Sequence, residues 1–128
     1  MKLLLDTHTL LWWDTTNDRL SPTARALLED PANDLLLSVV SLWEMHLKTQ
    51  LGKLKLRVPL EQLVQEQVAR NGVWVLPVEA AHVYALEALP GHHKDPFDRL
   101  LIAQATTEGA TLVSKDDVFK RYPVDLIW

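Results

Sequence analysis

Cysteine is missing altogether from this sequence. Without it there is no disulfide framework and no thiolate zinc site, so structural zinc is not expected and a reducing compartment is suitable. Long apolar runs are missing too. The stretch Met1-Lys2-Leu3-Leu4-Leu5-Asp6 is too short to be the core of a signal peptide, and nothing approaches the roughly 20 apolar residues of a membrane span. A soluble, cytoplasmic protein is expected. Positive charge is also scarce: 13 Lys and Arg stand against 17 Asp and Glu, a net charge of −4 with a pI near 5.7. That balance lacks the basic footprint of a protein that grips phosphate backbones, and it speaks against a simple nucleic-acid-binding module.

What is present is enough apolar material for one compact domain. At 128 residues and 48% hydrophobic, a chain can bury about two thirds of its unfolded surface, and needs no staple merely to fold. No linker, internal repeat or low-complexity segment interrupts it. Leu3-Leu4-Leu5 reads as a strand buried on both faces, with Asp6 at its carboxyl end. Ser21-Pro22 opens a helix that stops near Asp30-Pro31, with Ser as N-cap and Pro at the first helical position. Leu35 to Val40 reads as a second strand. Ser41-Leu42-Trp43-Glu44 then has the pattern of a capping box, which puts Glu44 in the first turn of a helix reaching Gly52.

Lys53 to Val58 alternates basic and apolar residues, and a helix follows from Pro59 to about Arg70. Val73 to Leu76 is a third strand, and Glu79 to Leu89 has helical spacing. Pro90-Gly91-His92-His93-Lys94 is the least regular stretch. Asp95-Pro96 opens a strong helix that runs to Gly109. Thr111 to Ser114 reads as a fourth strand, Asp116 to Lys120 as a short helix and Val124 to Ile127 as a last strand. Strands alternating with helices predict an α/β fold with a mostly parallel sheet covered on both faces.

Ligands of open α/β sheets bind beyond the carboxyl ends of the strands. Four acids fall at that edge: Asp6, Glu44, Asp98 and Asp116. Gathered carboxylates repel by roughly 4 kcal/mol for a pair 4 Å apart at an effective dielectric near 20. Protonation, basic partners or hard divalent cations must offset this, and an all-oxygen site suits Mg²⁺ or Mn²⁺. Such an ion can activate water and stabilise the leaving oxygen of a phosphodiester. The net negative charge is no obstacle to that chemistry, because the cations themselves draw in phosphate oxygens.

Each acid also has a plainer account. Glu44 completes a capping box with Ser41, Asp95 caps the helix beginning at Pro96 with Asp98 as its N3 partner, and Asp116 could cap the short helix after it. Asp6 caps nothing obvious, and a carboxylate closing an apolar strand is poorly solvated.

Leu4-Leu5-Asp6-Thr7-His8-Thr9-Leu10-Leu11-Trp12 resembles the PIN-domain ribonucleases of the VapC toxin type. So do Ser38-Val39-Val40-Ser41-Leu42-Trp43-Glu44-Met45 with Lys48 and Leu51-Gly52-Lys53-Leu54, the helix start Asp95-Pro96-Phe97-Asp98-Arg99-Leu100-Leu101, and Leu112-Val113-Ser114-Lys115-Asp116. The resemblance implies a single domain with a five-stranded parallel sheet, a Mg²⁺ or Mn²⁺ centre, cleavage of RNA, frequent homodimers, and inhibition by a cognate antitoxin. It implies Asp6 as the central metal ligand, Glu44 and Asp98 as the second and third acids, and Asp116 as the fourth or a water-mediated one. Asp95 is the alternative third acid, three residues from Asp98. Thr7 and Ser114 match positions where the family often places a supporting hydroxyl.

Other features carry less. His92-His93, in the irregular stretch, could ligate a metal or contact substrate but are expected to face solvent, and His8, His46 and His82 match no zinc motif. Tryptophans can stack on unpaired bases, but Trp43, Trp74 and Trp128 are expected in the core, while adjacent Trp12 and Trp13 cannot both face inward. Lys48, Lys53, Lys55 and Arg57 make the main basic patch, able to track phosphates or simply solvated. The apolar helices between Ser21 and Leu51 could receive an antitoxin helix. A receiver domain would need an aspartate where Leu76-Pro77 stand, and a haloacid-dehalogenase-type phosphatase an acid where His8 stands. A catalytically inactive PIN-fold module that binds RNA or protein is the remaining alternative.

Overall fold

The computed structural model describes residues 1–91 and 95–128. His92 and His93 therefore lie outside the described residues. Five strands, β1 (Lys2–Leu5), β2 (Asp34–Ser38), β3 (Trp74–Leu76), β4 (Thr111–Val113) and β5 (Leu126–Ile127), form one sheet in the order β3-β2-β1-β4-β5. All four pairings are parallel, and Leu4 of the central strand lies level with Leu36 and Leu112. Six α-helices accompany them among the described residues: α1 (Thr7–Thr15), α2 (Pro22–Glu29), α3 (Val39–Gln50), α4 (Leu60–Asn71), α5 (Ala80–Ala85) and α6 (Pro96–Glu108). None is long and apolar enough to cross a membrane.

Alternation along the strands divides the core in two. Leu3 and Leu5 point into a cluster with Leu10, Ala24, Met45 and Leu63, from α1 to α4. Leu4 and Leu112 point the other way, onto Leu101, Ile102 and Ala105 of α6 and onto Phe119. Three consecutive leucines are thus all buried because successive side chains take opposite faces of a sheet covered on both sides. The chain leaves β1 for β2 on one side, and returns from β3 through α5 and α6 to β4 on the other. The strand order consequently reverses between β1 and β4, and it is there that a crevice opens beyond the strand ends.

One helix start differs from expectation. The second strand ends at Ser38, and it is Ser38, not Ser41, that caps α3 by accepting the Val40 N–H at 3.0 Å. Val39 and Val40 read as strand because they are β-branched and continue an apolar run. The Ser38 hydroxyl overrides that reading: it also donates to Gln104 Oε1, 66 residues away on α6. Ser41 is buried inside the helix, and its Oγ has no hydrogen-bond partner among the described residues. The capping box with Glu44 does not form.

Gln104 continues a buried polar chain. Its Nε2 donates to the Pro77 carbonyl at 3.2 Å and stands 3.4 Å from His82 Nδ1. The same Nδ1 accepts the Glu79 N–H at 2.9 Å, so the ring carries its proton on Nε2, 3.0 Å from Glu108 Oε2. This chain ties the start of α3 to α6, the two helices that carry Glu44 and Asp98. Gln104→Leu strips partners from Ser38 and Pro77, and is expected to cost about 2 kcal/mol. The check is a lower urea midpoint at an unchanged slope.

Candidate active site

Asp6 follows β1 directly and sits beside the end of β4, at the point where the strand order reverses. Contrary to the sequence reading, it is a cap: its Oδ1 accepts the Thr9 N–H at 2.8 Å at the start of α1. Its Oδ2 accepts the Ser114 hydroxyl, and Ser114 Oγ in turn accepts the Asp116 N–H at 3.0 Å. Thr9 Oγ1 and Asp6 N both donate to the Val113 carbonyl, at 2.8 and 3.2 Å. With 7% of its surface exposed, Asp6 is fixed across β1 and β4 by these bonds.

Glu44 lies in the second turn of α3, beyond the reach of the helix cap, and is 6% exposed. Thr7 Oγ1 donates to its Oε1 at 2.5 Å, and Lys48 Nζ donates to its Oε2 at 2.6 Å. A buried carboxylate requires such partners, and here a hydroxyl and an ammonium supply them. Asp95 is the N-cap of α6, accepting the N–H groups of Phe97 at 2.9 Å and Asp98 at 3.1 Å. Asp98 occupies the first turn, half-buried. Asp116 is exposed and caps the 3-10 turn Asp117–Arg121 through the Val118 N–H at 3.0 Å.

These residues, scattered along the chain, bound one cavity of about 120 Å³. Its walls are Asp6, Thr7, His8, Glu44, Lys48, Asp95, Asp98 and Asp116. Among the described residues of the wall, five carboxylates face a single ammonium, a formal excess of four negative charges. The amino ends of α1 and α6 offset part of that excess, because helix N-termini favour anions. The cavity lies at the predicted strand edge and contains all four predicted acids together with Asp95 and Thr7, while Ser114 stands behind Asp6. Among the described residues no three Asp, Glu or His side chains form a group ready to hold an ion. The acids line a common void without meeting, and both oxygens of Asp6 and of Glu44 are engaged by neighbours.

Residues 3–125 match the PIN domain family. The chain belongs to that family. It is 33% identical over 116 residues to Ribonuclease VapC22 of Mycobacterium tuberculosis, spanning 89% of this chain and 86% of that protein. To Ribonuclease VapC16 of the same organism it is 35% identical over 75 residues, 59% of this chain and 50% of that one. Among solved structures it is similar to VapBC2 from Rickettsia felis bound to a DNA fragment from their promoter. The TM-score is 0.76 at 21% identity, with 100% of this chain and 99% of that chain covered, a likeness of fold. The five parallel strands and helices on both faces of this PIN domain are those the sequence predicts.

Two residues at the site escaped the sequence reading. His8, exposed on the first turn of α1 and packed on Trp12 at 5.8 Å, lines the cavity although it matches no metal motif. Lys48 belongs to the acidic cavity, not to an open basic patch. Arg57 is likewise engaged, donating to Asp14 Oδ1 at 2.9 Å and to Glu66. These bonds, Asp14's foremost, hold the guanidinium above its ordinary range, and Arg57 holds the Glu66 carboxyl below its own. Of the expected patch, two members are thus spent on internal carboxylates.

The tryptophans also depart from expectation. Trp43 and Trp74 are 54% and 67% exposed, outside the core where the sequence places them. Trp43 lies on the outer side of α3 edge-on to Phe97, with ring centres 5.0 Å apart, and Trp74 stands on the sheet's edge strand. Trp128 is half-buried against Trp12 at 5.7 Å, and both Trp12 and Trp13 pack partly onto the same core cluster.

Proposed function

We propose that this PIN-domain protein is a ribonuclease toxin of a toxin-antitoxin pair, hydrolysing RNA phosphodiester bonds with a divalent cation held by its acidic cavity. The observation that carries the reading is that Asp6, Glu44, Asp98 and Asp116, far apart in the chain, all line one void. Its donors are nearly all carboxylate and hydroxyl oxygens, a set that suits Mg²⁺ or Mn²⁺ over softer ions. When bound, such an ion supplies Lewis acidity, lowering the pKa of water and stabilising the leaving oxygen of an in-line displacement.

Asp6 is the central ligand in this reading, with Glu44 and Asp98 beside it and Asp116 acting directly or through water. Thr7 and Ser114 orient Glu44 and Asp6 through the hydrogen bonds they donate, the supporting shell that metal centres need. Water is the nucleophile. The relatives named VapC carry the name ribonuclease, and one solved structure of similar fold is a toxin-antitoxin complex from Klebsiella pneumoniae. A protein antitoxin and a second copy of the chain are the corresponding partners here, acting in the cytoplasm where the RNA is.

The test compares wild type, Asp6→Asn and Asp98→Asn on a structured RNA with Mn²⁺, Mg²⁺ or EDTA. Equal cleavage in every condition would trace the activity to a contaminant and end the catalytic reading. Trp43 bears on how RNA is held. It stands one residue before Glu44 and offers an exposed ring supported by Phe97, itself one residue before Asp98. Stacking of an unpaired base on a tryptophan contributes about 1–3 kcal/mol, so Trp43→Ala is expected to raise KM for single-stranded RNA about tenfold with kcat retained. Trp43→Phe should recover most of the loss in the same steady-state assay.

A further inference from the structure

We infer that Lys48 is the built-in counter-cation of the acidic cavity: it occupies Glu44 until a divalent cation displaces it, and so sets how tightly that cation binds. The inference rests on the metal-centre reading above and concerns a residue to which that reading gives no part. Lys48 contributes the only ammonium or guanidinium among the described residues of the cavity wall. Its Nζ lies 2.6 Å from Glu44 Oε2, while Thr7 takes Oε1, so Glu44 has no oxygen free of a donor.

The setting separates this pair from an ordinary surface contact one helical turn long. Lys120 and Asp117 also pair at 2.8 Å, but their side chains are 71% and 84% exposed. In the Lys48–Glu44 pair the carboxylate side chain is 7% exposed and the lysine 37%. A carboxylate so withdrawn from water needs a cation beside it, and the ammonium is the cation present. Lysine suits an exchangeable role: its charge is compact, it rides on a flexible stem, and here it keeps a path to solvent. A divalent ion ligated by Glu44 would take the place of the ammonium beside a group of like charge. Binding the ion and releasing Lys48 are therefore coupled, and coupling of this kind is reciprocal.

Isothermal titration of Mn²⁺ into RNA-free protein tests the coupling. Lys48→Met, which keeps the stem and loses the charge, is expected to bind Mn²⁺ about tenfold more tightly than wild type. Its melting temperature without the ion should fall, and the rise on adding Mn²⁺ should be larger. Lys48→Arg keeps the charge and should bind no more tightly than wild type. If Lys48→Met does not fold, Lys48→Gln, which retains a donor for Glu44, carries the same expectation. Wild-type affinity in the uncharged variants, whatever their melting temperatures, would reduce Lys48 to a structural partner and overturn the inference alone. Failure of the wild type itself to take up Mn²⁺ would overturn the metal-centre reading and the inference together.

Discussion

Asp6→Asn is expected to remove metal-dependent RNA cleavage, lowering kcat/KM by about a thousandfold or more, while the protein folds as before. A thousandfold corresponds to roughly 4 kcal/mol of transition-state stabilisation, the scale of charge compensation that a bound divalent ion supplies. Asparagine removes the negative charge that the other acids cannot replace, because Asp6 alone is fixed to both central strands. It does not remove the cap. Its Oδ1 can still accept the Thr9 N–H, and its Nδ2 can donate to Ser114 Oγ, which has a lone pair to spare beside the one given to Asp116 N–H.

Without divalent ions the substitution should leave the melting temperature unchanged or raise it, because one of five facing carboxylates is gone. Asp6→Ala serves as the contrast. It is equally inactive but loses the cap of α1, at about 1 kcal/mol. Cleavage assays in Mn²⁺ and EDTA, paired with thermal melts of both variants, separate charge from fold. Retained metal-dependent cleavage by Asp6→Asn would remove Asp6 from the chemistry.

How the acids come together was legible in part. Leu3-Leu4-Leu5 ending at Asp6, and Leu112-Val113 ending near Asp116, mark buried parallel strands whose carboxyl ends carry chemistry, and the alternation of strands and helices places them at one edge. The partners that hold the acids were harder to read. Ser41, three residues before Glu44, suggests a capping box. The true cap, Ser38, is selected by Gln104, a contact across 66 residues that no local pattern contains. Thr7 reaches Glu44 across 37 residues in the same way. The Lys48 contact was different: a Glu four residues before a Lys on a helix is a readable pair, but only burial shows that it belongs to the cavity and not to the surface. Trp43 and Trp74 illustrate the converse error, since large aromatic side chains are assigned to cores by composition and nothing local marks those left outside.

Asp95 and Asp98, three residues apart at one helix start and both on the cavity wall, are expected to separate cleanly under substitution. Asp95 accepts two backbone N–H groups, so Asp95→Ala should cost about 1–2 kcal/mol as α6 loses its cap. For a domain of this size that is a fall of about 4–8 °C in melting temperature. Asp95→Ser supplies a hydroxyl cap without a carboxylate, and should restore most of that stability while cleaving RNA within a few-fold of wild type. Asp98→Asn should do the reverse, keeping the melting temperature and losing about a hundredfold or more in kcat, as expected when charge aimed at the reacting centre is removed. The serine variant makes the comparison decisive, because it holds the helix start constant while removing only the negative charge. Should Asp95→Ser be inactive and Asp98→Asn active, the third acid of the centre is Asp95, and α6 begins with a ligand that also serves as its cap.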